Sequence, residues 1–214
     1  MNPPSLLYPV KPLSVNQPFG ANVAYYETNF GQKGHPGIDF MASHGQPVFA
    51  AHDGAAIYIK DSHGGEGIWL YAPGYITIYW HLIGDTDATL PPPIPYNTNG
   101  VRTPVKAGDL IGYADNTGAP FESSGDHLHF GLILTYANGV ILNEDNGTQG
   151  CIDPQPYFNG QFAVDIPLAA IKTQATQLAQ AVAVIKPTDP NAPAEVSLLD
   201  RVLAVLKEEL GEIL

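Results

Sequence analysis

The sequence predicts a mainly β protein of the α+β kind: an antiparallel sheet core over residues 1–165, then a C-terminal helical hairpin over residues 166–214. Three observations predict it. Short alternating runs rich in Ile, Tyr, Val and Trp recur between residues 46 and 136, separated by Asp-Gly, Gly-Gly-Glu-Gly and Pro-Gly turns. With 22 Gly, 20 Pro and 11 Tyr among 214 residues, turns and strands are favoured over a helical bundle. Beyond Pro167 the apolar spacing changes from two to three and four.

Residues 1–34 are rich in Pro, Gly and Asn, show no helical period, and read as extended segments and loops. In Gly34-His35-Pro36-Gly37-Ile38-Asp39-Phe40, Pro36 and Gly37 turn the chain and Ile38 begins a strand. A histidine and a carboxylate four apart across such a turn can converge on one point; a surface histidine and a turn-capping aspartate is the plainer alternative. The runs 47–51, 55–59, 68–71 and 75–82 read as an antiparallel meander, with His81 at the end of the strongest. The loop Pro91-Pro92-Pro93-Ile94-Pro95 is too long for a tight hairpin and is expected to line a cleft. Residues 105–112 read as a turn plus a strand. Asn116-Thr117-Gly118 opens a loop that leads into a strand running to Tyr136, and Asp153-Pro154 with Tyr157-Phe158 closes the β-rich part.

Leu168, Ile171, Ala175, Leu178, Val182 and Ile185 form a heptad-like stripe, which the proline-rich stretch 186–193 breaks. Val196, Leu199, Val202, Leu203, Leu206, Leu210 and Ile213 form a second stripe. Such a hairpin packs on the body or serves docking or self-association; the apolar Ile213-Leu214 favours docking.

Net charge is −12, and nine Lys+Arg are spread singly, so no basic patch exists to neutralise phosphates and nucleic acid is not an expected partner. Cys151 is the only cysteine, which excludes an intrachain disulfide and suits a small buried hydrophobe. The first nine residues lack a charged segment followed by an apolar run, so no secretory signal is expected, and no apolar stretch has the length of a membrane span. No P-loop, dinucleotide fingerprint or G-x-S-x-G elbow is present.

The chain's chemistry centres on Gly125-Asp126-His127-Leu128-His129-Phe130. On a strand, side chains alternate, so His127 and His129 share one face while Leu128 and Phe130 turn to the other. Two imidazoles on one face supply a metal ligand and a neighbour for a reacting water, or are two solvated histidines. His35, Asp39 and His81 join them, each in a turn or at a strand end. Three protein ligands and an open position define a catalytic zinc site, and a single cysteine argues against the usual structural kind. A His, Asp, His set would leave zinc net positive, able to acidify water and polarise an amide carbonyl. His44, His52 and His63 have no partner at ligand spacing and read as surface or turn residues. Asp109 reads as a turn residue, and Trp69, Tyr79 and Trp80 as core or cleft wall.

H-x-x-x-D (His35, Asp39), the lone His81 after Tyr79-Trp80, Ala-Gly-x-x-Ile-Gly (residues 107–112), Asn-Thr-Gly (residues 116–118) and H-L-H-F (residues 127–130) occur in that order. Over roughly residues 17–158 the chain resembles the lysostaphin/LytM-type zinc metallopeptidases, which cut peptides of bacterial peptidoglycan. The resemblance implies one Zn2+ held by His35, Asp39 and His129, with His81 and His127 beside the attacking water, where they orient or deprotonate it and stabilise the oxyanion. It implies an endopeptidase acting on stem or cross-bridge peptides at the bacterial cell wall. The alternative is a non-catalytic zinc-bearing or wall-binding module that recruits another hydrolase. The loop 119–125 is longer than is usual in the family, Asp126 stands where proline is common and Gly131 where an acidic residue often follows. A wall hydrolase without a signal suits a phage product, virion-borne through residues 167–214 or released at lysis; a leader already removed explains the missing signal equally.

Overall fold

Among the described residues, twelve strands and one α-helix follow in chain order: β1 (Leu6–Tyr8), β2 (Val15–Gln17), α1 (Val23–Phe30), β3 (Ile38–Met41), β4 (Pro47–Phe49), β5 (Gly54–Lys60), β6 (Glu66–Ala72), β7 (Tyr75–Trp80), β8 (Thr103–Val105), β9 (Leu110–Tyr113), β10 (His127–Leu134), β11 (Cys151–Ile152) and β12 (Phe158–Phe162). The structure, a computed structural model, describes residues 4–62, 65–87, 89–96 and 99–165. The expected hairpin over residues 166–214 and His63 lie outside the described residues.

Among those residues the main sheet runs β2-β3-β10-β7-β6-β5-β8, with β11 pairing β10, and every pairing in it is antiparallel. The meander is β5–β6–β7, with Pro73-Gly74 joining β6 to β7 as the sequence predicts. The late strand β10 inserts between β3 and β7, and so joins the two halves of the sequence. Alternation turns Ile38, Phe40, Tyr79, Leu128, Phe130 and Leu132 into one fully buried layer. Burying each such side chain contributes roughly 1.5–3 kcal/mol. Ile57, Ile59, Trp69, Ile78 and Trp80 project from the opposite face, where they remain half-buried. No helix among the described residues is long and apolar enough to cross a membrane.

Four expectations change. Residues 1–34 contain a helix, α1, which has no side-chain cap and buries no residue. Its apolar residues pack on one another rather than on the core: Tyr25, Tyr26 and Phe30 lie with ring centroids 5.5–5.8 Å apart, and eight residues are too few to show a period. β4 leaves the meander and pairs with β9, and the fully buried Ala50 and Ala51 follow it as connecting chain rather than as strand. The proline loop does not line the cleft: Ile94 is buried in the core layer, and Tyr96 packs against Tyr58, which faces that same layer. His52 is buried, its Nε2 2.8 Å from Thr77 Oγ1 and its Nδ1 donating to the Asp53 carbonyl at 2.8 Å.

Candidate metal centre

The register of three strands assembles the centre. On β10, His129 stands directly opposite Asp39 of β3 and Trp80 of β7. Directly paired residues share a face with Cβ atoms about 5 Å apart, so the carboxylate and the imidazole meet on the face away from the core. The Pro36-Gly37 turn returns His35 to the same point. His35 Nε2, Asp39 Oδ1 and His129 Nδ1 form a triangle with sides of 3.0, 3.0 and 2.8 Å. Gly37 makes the approach feasible, since a Cβ there would lie 2.7 Å from His129 Cε1 and 2.5 Å from the Phe130 carbonyl oxygen.

This donor set fits zinc. Tetrahedral ligands about 2.0–2.2 Å from an ion lie about 3.3–3.6 Å apart, so the triangle needs to open by only a few tenths of an ångström. His35 Nδ1 donates to the Pro18 carbonyl at 3.2 Å, which leaves the Nε2 lone pair facing the triangle. Burial alone would raise the Asp39 carboxyl, but hydrogen bonds to His129 and His35 and their charge outweigh it and hold the group well below the usual carboxylate range. It is therefore ionised, as a ligand must be. Burial likewise pushes the His129 imidazole down, towards the neutral ligating form.

The other two expected residues converge on the same space. Strict alternation after Trp80 would turn His81 into the core with Tyr79. His81 instead adopts the left-handed conformation, φ 64°, which swings its ring to the cleft side. Such a backbone at a non-glycine residue is strained, and strain of this kind concentrates at functional positions. The ring centroids of His81 and His127 lie 4.6 Å apart, and His127 Nε2 is 3.6 Å from Asp39 Oδ1. His81 Nδ1 donates to the Thr117 carbonyl at 2.7 Å and His127 Nδ1 to the Gly125 carbonyl at 2.8 Å. A carbonyl can only accept, so each Nδ1 holds a proton, and in the neutral ring it is Nε2 that accepts. Burial, reinforced by His127 and His129, pushes His81 down to about 3. The two carbonyls flank the loop 119–125, and Ser123 Oγ ties that loop to Asn116 and Gly125.

A cleft of ≈ 380 Å³ opens beside His81 and His129, floored by Trp69, Ile78 and Trp80 and walled by Tyr25, Tyr26 and Phe30 of α1. Burial pushes the Tyr26 hydroxyl up to about 12, with the Asp39 charge adding to it. Gly131 leaves room for Ile78 to pack beside Cys151, whose buried thiol is pushed up to about 12 and stays protonated. His44 has a partner that the spacing hid, Asp115 at 2.8 Å, with Asp126 close by on the surface. The sequence reading placed Gly37 in the turn but missed its close approach to His129, and it missed the three carbonyls that orient the imidazoles and the wall residue Gln32; a backbone acceptor carries no signal.

The model of Peptidase family M23 matches residues 33–144, just over half of the 214 residues. A DD-carboxypeptidase/endopeptidase, Mpg, of Neisseria meningitidis serogroup B is 34% identical over 99 residues, 45% of this chain and 19% of its own. An uncharacterized metalloprotease of Haemophilus influenzae is 30% identical over 132 residues, 60% of this chain and 24% of its own. The chain thus spans about a quarter or less of the length of these relatives. A zinc containing peptidase from Vibrio cholerae has 25% identity and a TM-score of 0.48, covering 64% of this chain and 38% of that one. The family match spans His35, Asp39, His81, His127 and His129 alike, and the protein belongs to peptidase family M23, the lysostaphin/LytM-type metallopeptidases.

Proposed function

We propose that this protein is a zinc-dependent endopeptidase that hydrolyses amide bonds in the stem or cross-bridge peptides of bacterial peptidoglycan. One observation carries the reading: two further imidazoles, of His81 and His127, stand beside the His35, Asp39 and His129 triangle, each with its Nδ1 held by a backbone carbonyl. His35, Asp39 and His129 would hold zinc, which supplies a Lewis acid that acidifies water and polarises the scissile carbonyl. The His81/His127 pair accepts the proton of the attacking water and, once protonated, donates to the oxyanion or to the leaving nitrogen. The Thr117 and Gly125 carbonyls keep both rings turned for that exchange. Trp69, Ile78 and Trp80 exclude bulk water from the substrate, which strengthens each polar contact.

A non-catalytic wall-binding module needs only the three ligands, so the two further imidazoles beside them favour the enzyme. The peptidoglycan substrate is supported by the family and by the ordered motifs. The apolar stripes of residues 168–185 and 196–213 support a docking or self-association role, which suits a virion-borne phage lysin; a chain ending at Asp165 with unchanged oligomeric state and partner binding would remove it.

The test is incubation of the purified, zinc-loaded protein with isolated peptidoglycan, with and without a chelator, and mass spectrometry of the soluble fragments. New peptide termini that vanish with chelator are expected and name the bond. Intact wall across several wall chemistries, despite one zinc per chain, would overturn the reading in favour of the non-catalytic module.

A further inference from the structure

Gln32 lies in the wall of the cleft but is used by none of the chemistry above. Its backbone is fixed: Gly31 ends α1 in the left-handed conformation, and the Gln32 N–H donates to the Tyr26 carbonyl at 3.2 Å. Its side chain is 8% exposed, yet its Oε1 has no hydrogen-bond partner; among the described residues no other buried side-chain nitrogen or oxygen lacks one. A methionine or leucine would occupy much the same space without an unpaired oxygen, so a carboxamide here is explained by a donor that arrives from outside the chain.

Gln32 lines two openings. One is the cleft that reaches Trp80, His81 and His129; the other is a hollow of ≈ 290 Å³ between the end of α1 and Glu144, Asp145, Gly147 and Gln149. Phe30, Gln32 and Gln149 border both, and so form a saddle between them. Whatever extends from the reacting centre into the second hollow passes over Gln32.

We propose that Gln32 is a specificity-determining residue, whose carboxamide oxygen accepts an N–H of the peptide substrate where it crosses this saddle. The proposal rests on the peptidase reading above and adds where and how the substrate is held. A peptide presents an N–H at nearly every residue, which matches an acceptor with no partner of its own. The terminal torsion of glutamine is broad, so the oxygen turns towards the cleft without backbone movement. The aromatic floor opposite keeps the bond out of water, where it discriminates most.

The test compares the full-length, zinc-loaded protein with Gln32→Met, using peptidoglycan solubilised by a muramidase as substrate. Loss of one neutral hydrogen bond made equally in ground and transition states should raise KM about three- to tenfold with kcat within about twofold. The melting temperature should hold or rise, because the unpaired oxygen is gone. In the wild type, adding the purified product peptides should shift the Gln32 side-chain amide resonances. A wild-type KM in the variant, or Gln32 resonances that do not move while the peptides bind, would overturn the role of Gln32 and leave the peptidase reading standing. If Gln32→Met does not fold, the wild-type resonances alone decide. A wild type that neither cuts nor binds these fragments would overturn both readings together.

Discussion

Replacing Gly37 by alanine should damage the proposed metal centre without replacing any of its proposed ligands. The added Cβ would sit 2.5 Å from the Phe130 carbonyl oxygen and 2.7 and 2.8 Å from His129 Cε1 and Nε2. Ordinary contacts begin near 3.5 Å, so the overlap is about 1 Å. The carbonyl belongs to β10, which is paired on both sides by β3 and β7, and it has little freedom to give. The imidazole must therefore move, and a shift of that size breaks its 2.8 Å and 3.0 Å contacts to His35 and Asp39. Overpacking of this kind costs about 1–3 kcal/mol of stability. Misorienting one ligand should lower zinc affinity about 10- to 100-fold. The assay is competition for zinc with a chromophoric chelator, alongside urea unfolding of the zinc-free protein. Gly125→Ala is the control, because nothing lies within 4 Å of a Cβ there. A Gly37→Ala protein with wild-type zinc affinity and stability would refute the account of how β10 and the turn share this space.

Two further outcomes are expected. Burial pushes His52 down to about 4, whereas the unfolded chain takes up a proton near pH 6.5. The unfolded state thus binds the extra proton between those values. Stability from this group is full above pH 6.5 and lost as pH falls towards 4, about 3 kcal/mol in all and about 2 kcal/mol of it between pH 7 and 5. Urea stabilities of wild type and His52→Gln should converge by that amount over this range; parallel curves would refute it. His81→Ala and His127→Ala should each lower kcat about 100- to 10,000-fold at unchanged zinc content, while His35→Ala and Asp39→Ala should lose the metal; zinc loss in either of the first pair would reassign it as a ligand.

The site was more legible in the sequence than the fold around it. H-x-H with apolar alternates signals a half-buried strand whichever strands lie beside it, and an ordered series of short motifs survives in one dimension. Tyr25, Tyr26 and Phe30 left no helical signal, because they pack on one another and on the site rather than along a core-facing stripe. His52 looked solitary because its partners, Thr77 and its own neighbour's carbonyl, are not metal-ligand residue types. Ile94 looked like cleft wall because its proline neighbours set the local composition, while its burial depends on Tyr58 and the core layer.

By itself the sequence determined the period of each strand, the turn that brings His35 back towards Asp39, and the shared face of His127 and His129. Those follow from local geometry, since one residue's side-chain direction is set by its neighbours in the chain. Tertiary structure decided the rest. It set the β3–β10 register that faces Asp39 with His129, the left-handed backbone at His81, and the carbonyls of Thr117 and Gly125 that choose which nitrogen of each ring is free. Each depends on groups about 36 to 90 positions apart or on a backbone atom that every residue carries, and neither leaves a mark in the order of side chains.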